Sequence, residues 1–206
     1  GILVPGSLEA APVPVVHYSF DGDTSTKALD SAGGGANLAL LGGFAHAPGM
    51  LGQSLSFNGV DAAAVAASSG VANFGAGDFT VAAWIYLAGL NRSEPLIVKG
   101  IVGACCALDG YPGYMFGVIT DGLTLRLEDD APGINVKTIS IQLGASRVDR
   151  WFHAAARRQG NDLFLYLDGV MVASQIGALT PAYSVQTAAK LELGRGTTRY
   201  LKGAVD

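Results

Sequence analysis

The sequence predicts an all-β fold, a two-layer sandwich or a barrel. Short runs rich in Val, Ile, Leu, Phe and Tyr recur at about 8–12-residue spacing. Gly, Asp and Asn clusters punctuate them, and the 206 residues include 29 glycines with no three-residue period. Strand signals recur along the chain and helical ones do not. No internal repeat of fixed period shows, which disfavours a propeller.

The elements follow in order. Residues 1–14, beginning GILVPGSLEAAPVP, read as a linker or an expression remnant, and 15–206 as one domain. VPVVHYSF (13–20) is expected as the first strand, ended by Asp21-Gly22-Asp23. KALDSAGGGANLALLGG (27–43) is too poor in β-branched residues to be strand throughout. SLSFNG (54–59) and DAAAVAA (61–67) are strands joined across an Asn-Gly turn. DFTVAAWIYLA (78–88) is the strongest strand. Its two faces, Phe79, Val81, Ala83, Ile85 and Ala82, Trp84, Tyr86, are both apolar, which predicts cover on both sides.

EPLIVKG (94–100) is the next strand, before a Cys-Cys loop. YMFGVITDG (114–122) and LTLRLED (123–129) form a predicted hairpin, and TISIQLG (138–144) alternates polar and apolar. RWFHAAARRQG (150–160) has helical composition but is short and leads through a Gly-Asn-Asp turn into DLFLYL, so it reads as strand. In LFLYL-DG-VMVA, Asp168 and Gly169 occupy the two central places of a type I′ hairpin turn, where both residues need positive φ. Asp168 is therefore a turn residue rather than a catalytic acid.

Composition narrows the function classes. Net charge is -4 and no Lys or Arg run exists, against nucleic acid as a partner. No apolar run reaches the ~18 residues that cross a bilayer, against membrane insertion. Cys105 and Cys106 are adjacent, so they cannot staple distant segments and match no zinc spacing. In an oxidising compartment they would form a vicinal disulfide; the plainer reading is free thiols packed as small hydrophobes.

The ordered set YSFDG (18–22), LDSAGGGAN (29–37), GQSLSFNG (52–59), GDFTVAAW (77–84), LIVKG (96–100), RWFHAAA (150–156), LFLYLDGVMVA (163–173), LELG (191–194) and KGAVD (202–206) resembles the LamG-like, pentraxin-like jelly roll of the concanavalin A-like lectin and glucanase superfamily. No single motif is specific; their order is. The resemblance implies an all-β, two-sheet antiparallel jelly-roll β-sandwich with one sheet curved around a concave surface. It also implies a structural Ca²⁺ where the first and last strands meet. The matching positions are Asp21, Asn58, Gly59 and Asp206, with Asp23 and Asp30 as weaker alternatives. Such domains continue past the Gly-x-x-Asp motif into a closing strand, so a longer parent chain with flanking domains is expected.

Catalytic patterns are sparse. Enzymatic members of that superfamily set acids on alternate residues of one strand, a Glu-x-Asp-x-Glu pattern that faces one sugar. The four glutamates, Glu9, Glu94, Glu128 and Glu192, form no such pattern, and Glu128-Asp129-Asp130 reads as a polar loop end. His17, His46 and His153 are scattered, and His153 reads as a core histidine with its hydrogen bonds satisfied. The expected function is a non-catalytic, secreted or cell-surface binding module of bacterial type, for a glycan or an extracellular protein. Tyr111, Tyr114, Arg195 and Arg199 are its candidate contacts, chosen as aromatic or cationic loop residues. An adhesive spacer without a small ligand is the alternative, and a hydrolase with unrecognised acids the third.

Overall fold

A computed structural model of the chain describes residues 13–90, 93–100, 112–130, 135–196 and 199–206. Among the described residues fifteen strands make two antiparallel sheets. They are β1 (Lys27–Ala28), β2 (Leu38–Leu41), β3 (Phe44–Pro48), β4 (Gln53–Asn58), β5 (Ala63–Ala66), β6 (Phe79–Leu87), β7 (Glu94–Lys99) and β8 (Gly113–Ile119). There follow β9 (Gly122–Glu128), β10 (Val136–Gln142), β11 (Trp151–Gln159), β12 (Asp162–Leu167), β13 (Val170–Gln175), β14 (Leu191–Leu193) and β15 (Lys202–Val205). One sheet runs β1-β2-β5-β14-β7-β8-β9-β10 and the other β13-β12-β11-β6-β15-β4-β3. The only helical element among the described residues is a 3₁₀ turn, Ala145–Arg147.

Alternation builds the core between the sheets. Leu55 and Phe57 of β4, Ile85 and Leu87 of β6, and Phe152 and Ala154 of β11 bury against Phe116 of β8 and Leu123, Leu125 and Leu127 of β9 in a single cluster. Fully burying a Leu- or Phe-sized side chain contributes roughly 1.5–3 kcal/mol, so this layer is the main favourable contribution to the fold. Glu94, 2% exposed, ties the layers directly: its carboxylate on β7 accepts the Lys202 N–H of β15 at 2.7 Å.

Both predicted hairpins form. Asp168 and Gly169 have φ of 49° and 80°, and Thr120 and Asp121 between β8 and β9 have 46° and 64°. RWFHAAARRQ is β11, paired with β6 and β12. The Asn-Gly turn after β4 is a crossover between layers, because β4 and β5 belong to different sheets.

Three expectations are corrected. Residues 13–20 form no strand; their polar backbone is answered by a loop instead, the His17 N–H by the Asp30 carboxylate and the His17 carbonyl by the Ser31 N–H. Glu128 is no loop end but the last residue of β9, 1% exposed. Its Oε2 lies 3.6 Å from Arg126, on the same face by alternation. The strand β6 is covered on one face only: Phe79, Val81, Ile85 and Leu87 are buried, while Thr80 and Ala82 are exposed and Trp84 and Tyr86 half-buried.

Candidate functional site

That open face of β6 carries the most distinctive surface of the molecule. The register sets Tyr86 opposite Trp151 and Trp84 opposite His153 across β6 and β11. All four alternate with core residues, so they stand on the outer face of the seven-stranded sheet. The Trp84 and His153 rings meet edge-on with centroids 5.3 Å apart, and Tyr86 and Trp151 are tilted at 5.7 Å. Beside them Ala82 faces Ala155, Ala204 faces Tyr86, and Ser56 faces Ala204, while Tyr166 of β12 stands opposite Ala155 and Asp206 opposite Trp84. The result is an aromatic block with small residues along its β15 side and a carboxylate beside Trp84.

Polar groups fix its rim. The Tyr86 hydroxyl donates to Asp149 at 3.4 Å, and burial together with that carboxylate holds the phenol above its ordinary pKa. Asp168 accepts the His153 N–H at 2.9 Å and pairs with Arg147, whose guanidinium lies 5.5 Å from the Phe152 ring centroid. Hydrogen bonding to Arg147 is the largest reason why the Asp168 carboxyl lies below the usual range. The hairpin turn thus also anchors the strand that bears His153. His153 is not a core residue: it is half-buried on this face, against the sequence expectation.

The residues expected to hold calcium divide into two groups. Asp206 exchanges both backbone hydrogen bonds with Trp84, at 2.8 and 3.1 Å. Its Oδ2 accepts the N–H groups of Met50 and Leu51 at 2.6 and 2.8 Å. Asp21 Oδ1 accepts the Gln53 N–H at 2.8 Å, so both carboxylates grip the turn between β3 and β4. Side chains at Gly49 and Gly52 would collide with them, a Cβ at Gly49 lying 2.4 Å from Asp206 Oδ2 and one at Gly52 lying 2.1 Å from Asp21 Oδ1.

Asn58 and Gly59 stand elsewhere. Val205 pairs with Leu55 and Lys202 with Asn58, which puts Asn58 about 13 Å from Asp206 along the strands. The Asn58 side-chain Oδ1 accepts the N–H groups of Val60, Asp61 and Ala62, making it a turn former. Asp23 bonds the Leu29 N–H and His46, and Asp30 holds its own loop. Among the described residues no three His, Cys, Asp or Glu side chains gather at metal-ligand spacing. Two carboxylates on one turn nonetheless suit the acidic part of a Ca²⁺ shell, which carbonyls and water complete. Asp21 and Asp206 approach the same turn, whereas Asn58 and Gly59 stand about 13 Å from Asp206 along the strands.

The other candidate contacts separate too. Tyr114 is fully buried, its ring tilted against Phe79 and Phe74, and its hydroxyl donates to the Ala72 carbonyl, so it serves the core. Arg195 makes two hydrogen bonds to Glu192, at 2.8 and 2.7 Å. Arg199 is exposed, and its carbonyl accepts the Gly196 N–H. Tyr111, Cys105 and Cys106 lie outside the described residues.

Residues 58–206 match the model of a laminin G family described as the concanavalin A-like lectin/glucanases superfamily. No curated protein sequence matches the chain. Among solved structures, the binding domain of Paraclostridial Mosquitocidal Protein 1 superposes with a TM-score of 0.64 at 18% identity, over 89% of this chain and 47% of that one. Domain 4 of AbnA, an extracellular arabinanase of family GH43 from Geobacillus stearothermophilus, solved with arabinotriose, gives 0.62 at 19%, over 93% and 88%. The botulinum neurotoxin serotype G binding domain gives 0.64 at 12%, over 86% and 44%. The chain thus spans about half of the toxin domains and most of the arabinanase domain. At these identities the likeness is one of fold.

Proposed function

Since the chain belongs to the concanavalin A-like lectin/glucanases superfamily, we propose that it is a non-catalytic, extracellular binding module that takes a neutral glycan on the outer face of its seven-stranded sheet. A fold alone does not choose a function. The observation that carries the reading is the aromatic block Trp84–His153 and Tyr86–Trp151, held open on a face with no core of its own to cover. Such side chains offer an apolar ring for the C–H face of a sugar and a polar tip for its hydroxyls. Small neighbours on β15 and β4 leave space beside Tyr86, and Asp206 brings a carboxylate next to Trp84. A glycan partner is also consistent with the arabinotriose bound by the arabinanase domain of similar fold.

Asp21 and Asp206 are the residues that would hold Ca²⁺. The ion would supply positive charge beside two carboxylates at the end of β15, stiffening the strand that borders Trp84. The test uses titration calorimetry with arabinotriose, followed by a neutral oligosaccharide array. Saturable binding is expected, weakened about tenfold or more by Trp84→Ala and by Trp151→Ala, with the melting temperature of each variant checked separately. Silence across the array, or variants that bind like the parent, would overturn the glycan reading. A melting midpoint raised by millimolar Ca²⁺ in the parent and not in Asp206→Asn supports the ion; an unmoved midpoint in the parent removes it.

A further inference from the structure

We infer that Met50 and Leu51 form a lipid-contacting tip, on which the domain rests against a zwitterionic membrane surface. They stand in the turn between β3 and β4, a place where Gly, Asn, Asp and Ser are the usual residues. Met50 is 44% exposed and Leu51 71%. One uncovered apolar side chain is ordinary on a protein surface. Two in succession, held out by a braced turn, call for a partner.

Segments far apart in sequence do the bracing. Asp206 Oδ2 accepts the N–H groups of Met50 and Leu51 at 2.6 and 2.8 Å. Across the turn the Gly49 N–H donates to the Gly52 carbonyl at 2.9 Å, and the Gln53 N–H donates to Asp21 Oδ1 at 2.8 Å. Phe20, directly before Asp21, is buried with a φ of 57°, a strained value for so bulky a residue. Backbone strain of this kind persists where the surroundings over-determine it, as at binding sites. The tip is thus fixed in advance, and contact costs it little conformational freedom.

The same bonds choose the occupant. A pocket on another protein can offer acceptors to a turn, whereas the interior of a bilayer offers none, so backbone groups that enter lipid must be satisfied from within. Here the N–H groups of Gly49, Met50, Leu51 and Gln53 already have acceptors in the chain. Charge agrees. No charged residue occurs from Ala47 to Val60, so the tip itself carries none into the interface. The carboxylates of Asp21 and Asp206 lie just behind it, which disfavours anionic headgroups. Trp84, which exchanges backbone hydrogen bonds with Asp206, is of the residue type that settles at headgroup level.

Two side chains reach the boundary between headgroups and acyl chains and no further, so the domain would lie on the bilayer without crossing it. A single myristoyl chain already binds only marginally, and this smaller anchor should need about millimolar lipid. The glycan reading is not required for any of this.

Cosedimentation of the whole chain with phosphatidylcholine vesicles tests the tip, without glycan and in the presence of a chelator. The chelator keeps any ion from bridging Asp21 and Asp206 to lipid phosphate. The parent should pellet with the vesicles at about millimolar lipid, and added phosphatidylserine should lower the bound fraction. Met50→Ser combined with Leu51→Ser should weaken binding about tenfold or more at an unchanged melting temperature. Leu51→Trp should add blue-shifted emission, quenched by brominated acyl chains beyond the quenching of the parent's own tryptophans. A parent that stays in the supernatant at every lipid concentration overturns the proposal and leaves a protein pocket as the occupant. A serine variant that pellets like the parent, binding that rises with phosphatidylserine, or an unquenched Leu51→Trp overturns it equally.

Discussion

The carboxylate of Asp30 accepts N–H groups from His17 and Ala32 at 3.1 Å and from Ala36 at 3.2 Å. The Gly33–Gly35 run bends around it, with positive φ at Gly33 and Gly35, and a Cβ on Gly34 would sit 3.1 Å from Asp30 Oδ2. Burial pushes the Asp30 carboxyl upward, but the amides of His17, Ala36, Ala32 and Gly34 together overcome it and leave the pKa below its ordinary value. A carboxyl depressed in the folded state contributes stability that is complete above its unfolded pKa of about 3.9 and is lost as pH falls through the folded value. Asp30→Asn should therefore melt below the parent at pH 7. Thermal scans between pH 7 and pH 2 should show that gap closing below about pH 4; a gap independent of pH would refute the assignment.

Within the seven-stranded sheet, β15 lies between β4 and β6, and glycines within it and on the segment leading to it make close approaches that a side chain would block. A Cβ at Gly203 would lie 2.1 Å from the Tyr86 carbonyl oxygen, and one at Gly194, where the chain leaves β14, 2.2 Å from the Phe57 ring. Gly194 also has φ of 74°. Gly194→Ala should cost about 2 kcal/mol or more by overpacking and strain, read as a lowered urea midpoint with an unchanged slope.

Legibility at this scale followed the chemistry of each signal. Asp168-Gly169 and the β8–β9 hairpin could be read because a two-residue turn imposes a local demand on φ that few residues meet. Alternation likewise located β6, but it could not say which face meets protein. Both faces of Phe-Thr-Val-Ala-Ala-Trp-Ile-Tyr are apolar, and only the partner sheet reveals that Trp84 and Tyr86 point outward. That ambiguity concealed the aromatic block, although Trp-x-Tyr in β6 and Trp-x-His in β11 are the alternating pairs that would have marked it. Tyr114 misled for the converse reason: it neighbours a loop in sequence, yet its place in β8 turns it inward.

Across the whole molecule, the two layers share a core, and Glu94 adds a direct polar tie between them. Glu94→Ala would leave the Lys202 N–H without that acceptor between the sheets, at a cost of about 1–3 kcal/mol. The loss should appear as faster amide exchange in β15 and β4 beyond the global change. Protection lowered evenly over both sheets would argue against a local tie. The division of the residues expected to hold calcium is also a long-range property. Asp21 and Asp206 meet the turn after β3 through contacts between distant segments, whereas Asn58 and Gly59 are carried about 13 Å from Asp206 along the strands.

The position of β15 has a consequence for biosynthesis. A ribosome delivers β4 and β6 well before residues 202–205 emerge, so two mutually unfilled strands wait while more than a hundred residues are translated. Long-range pairing of this kind closes slowly, and the nascent polypeptide is exposed to mispairing until the wedge strand arrives. Chaperone demand and inclusion-body yield should accordingly track the residence time of that gap more closely than the melting temperature of the finished domain.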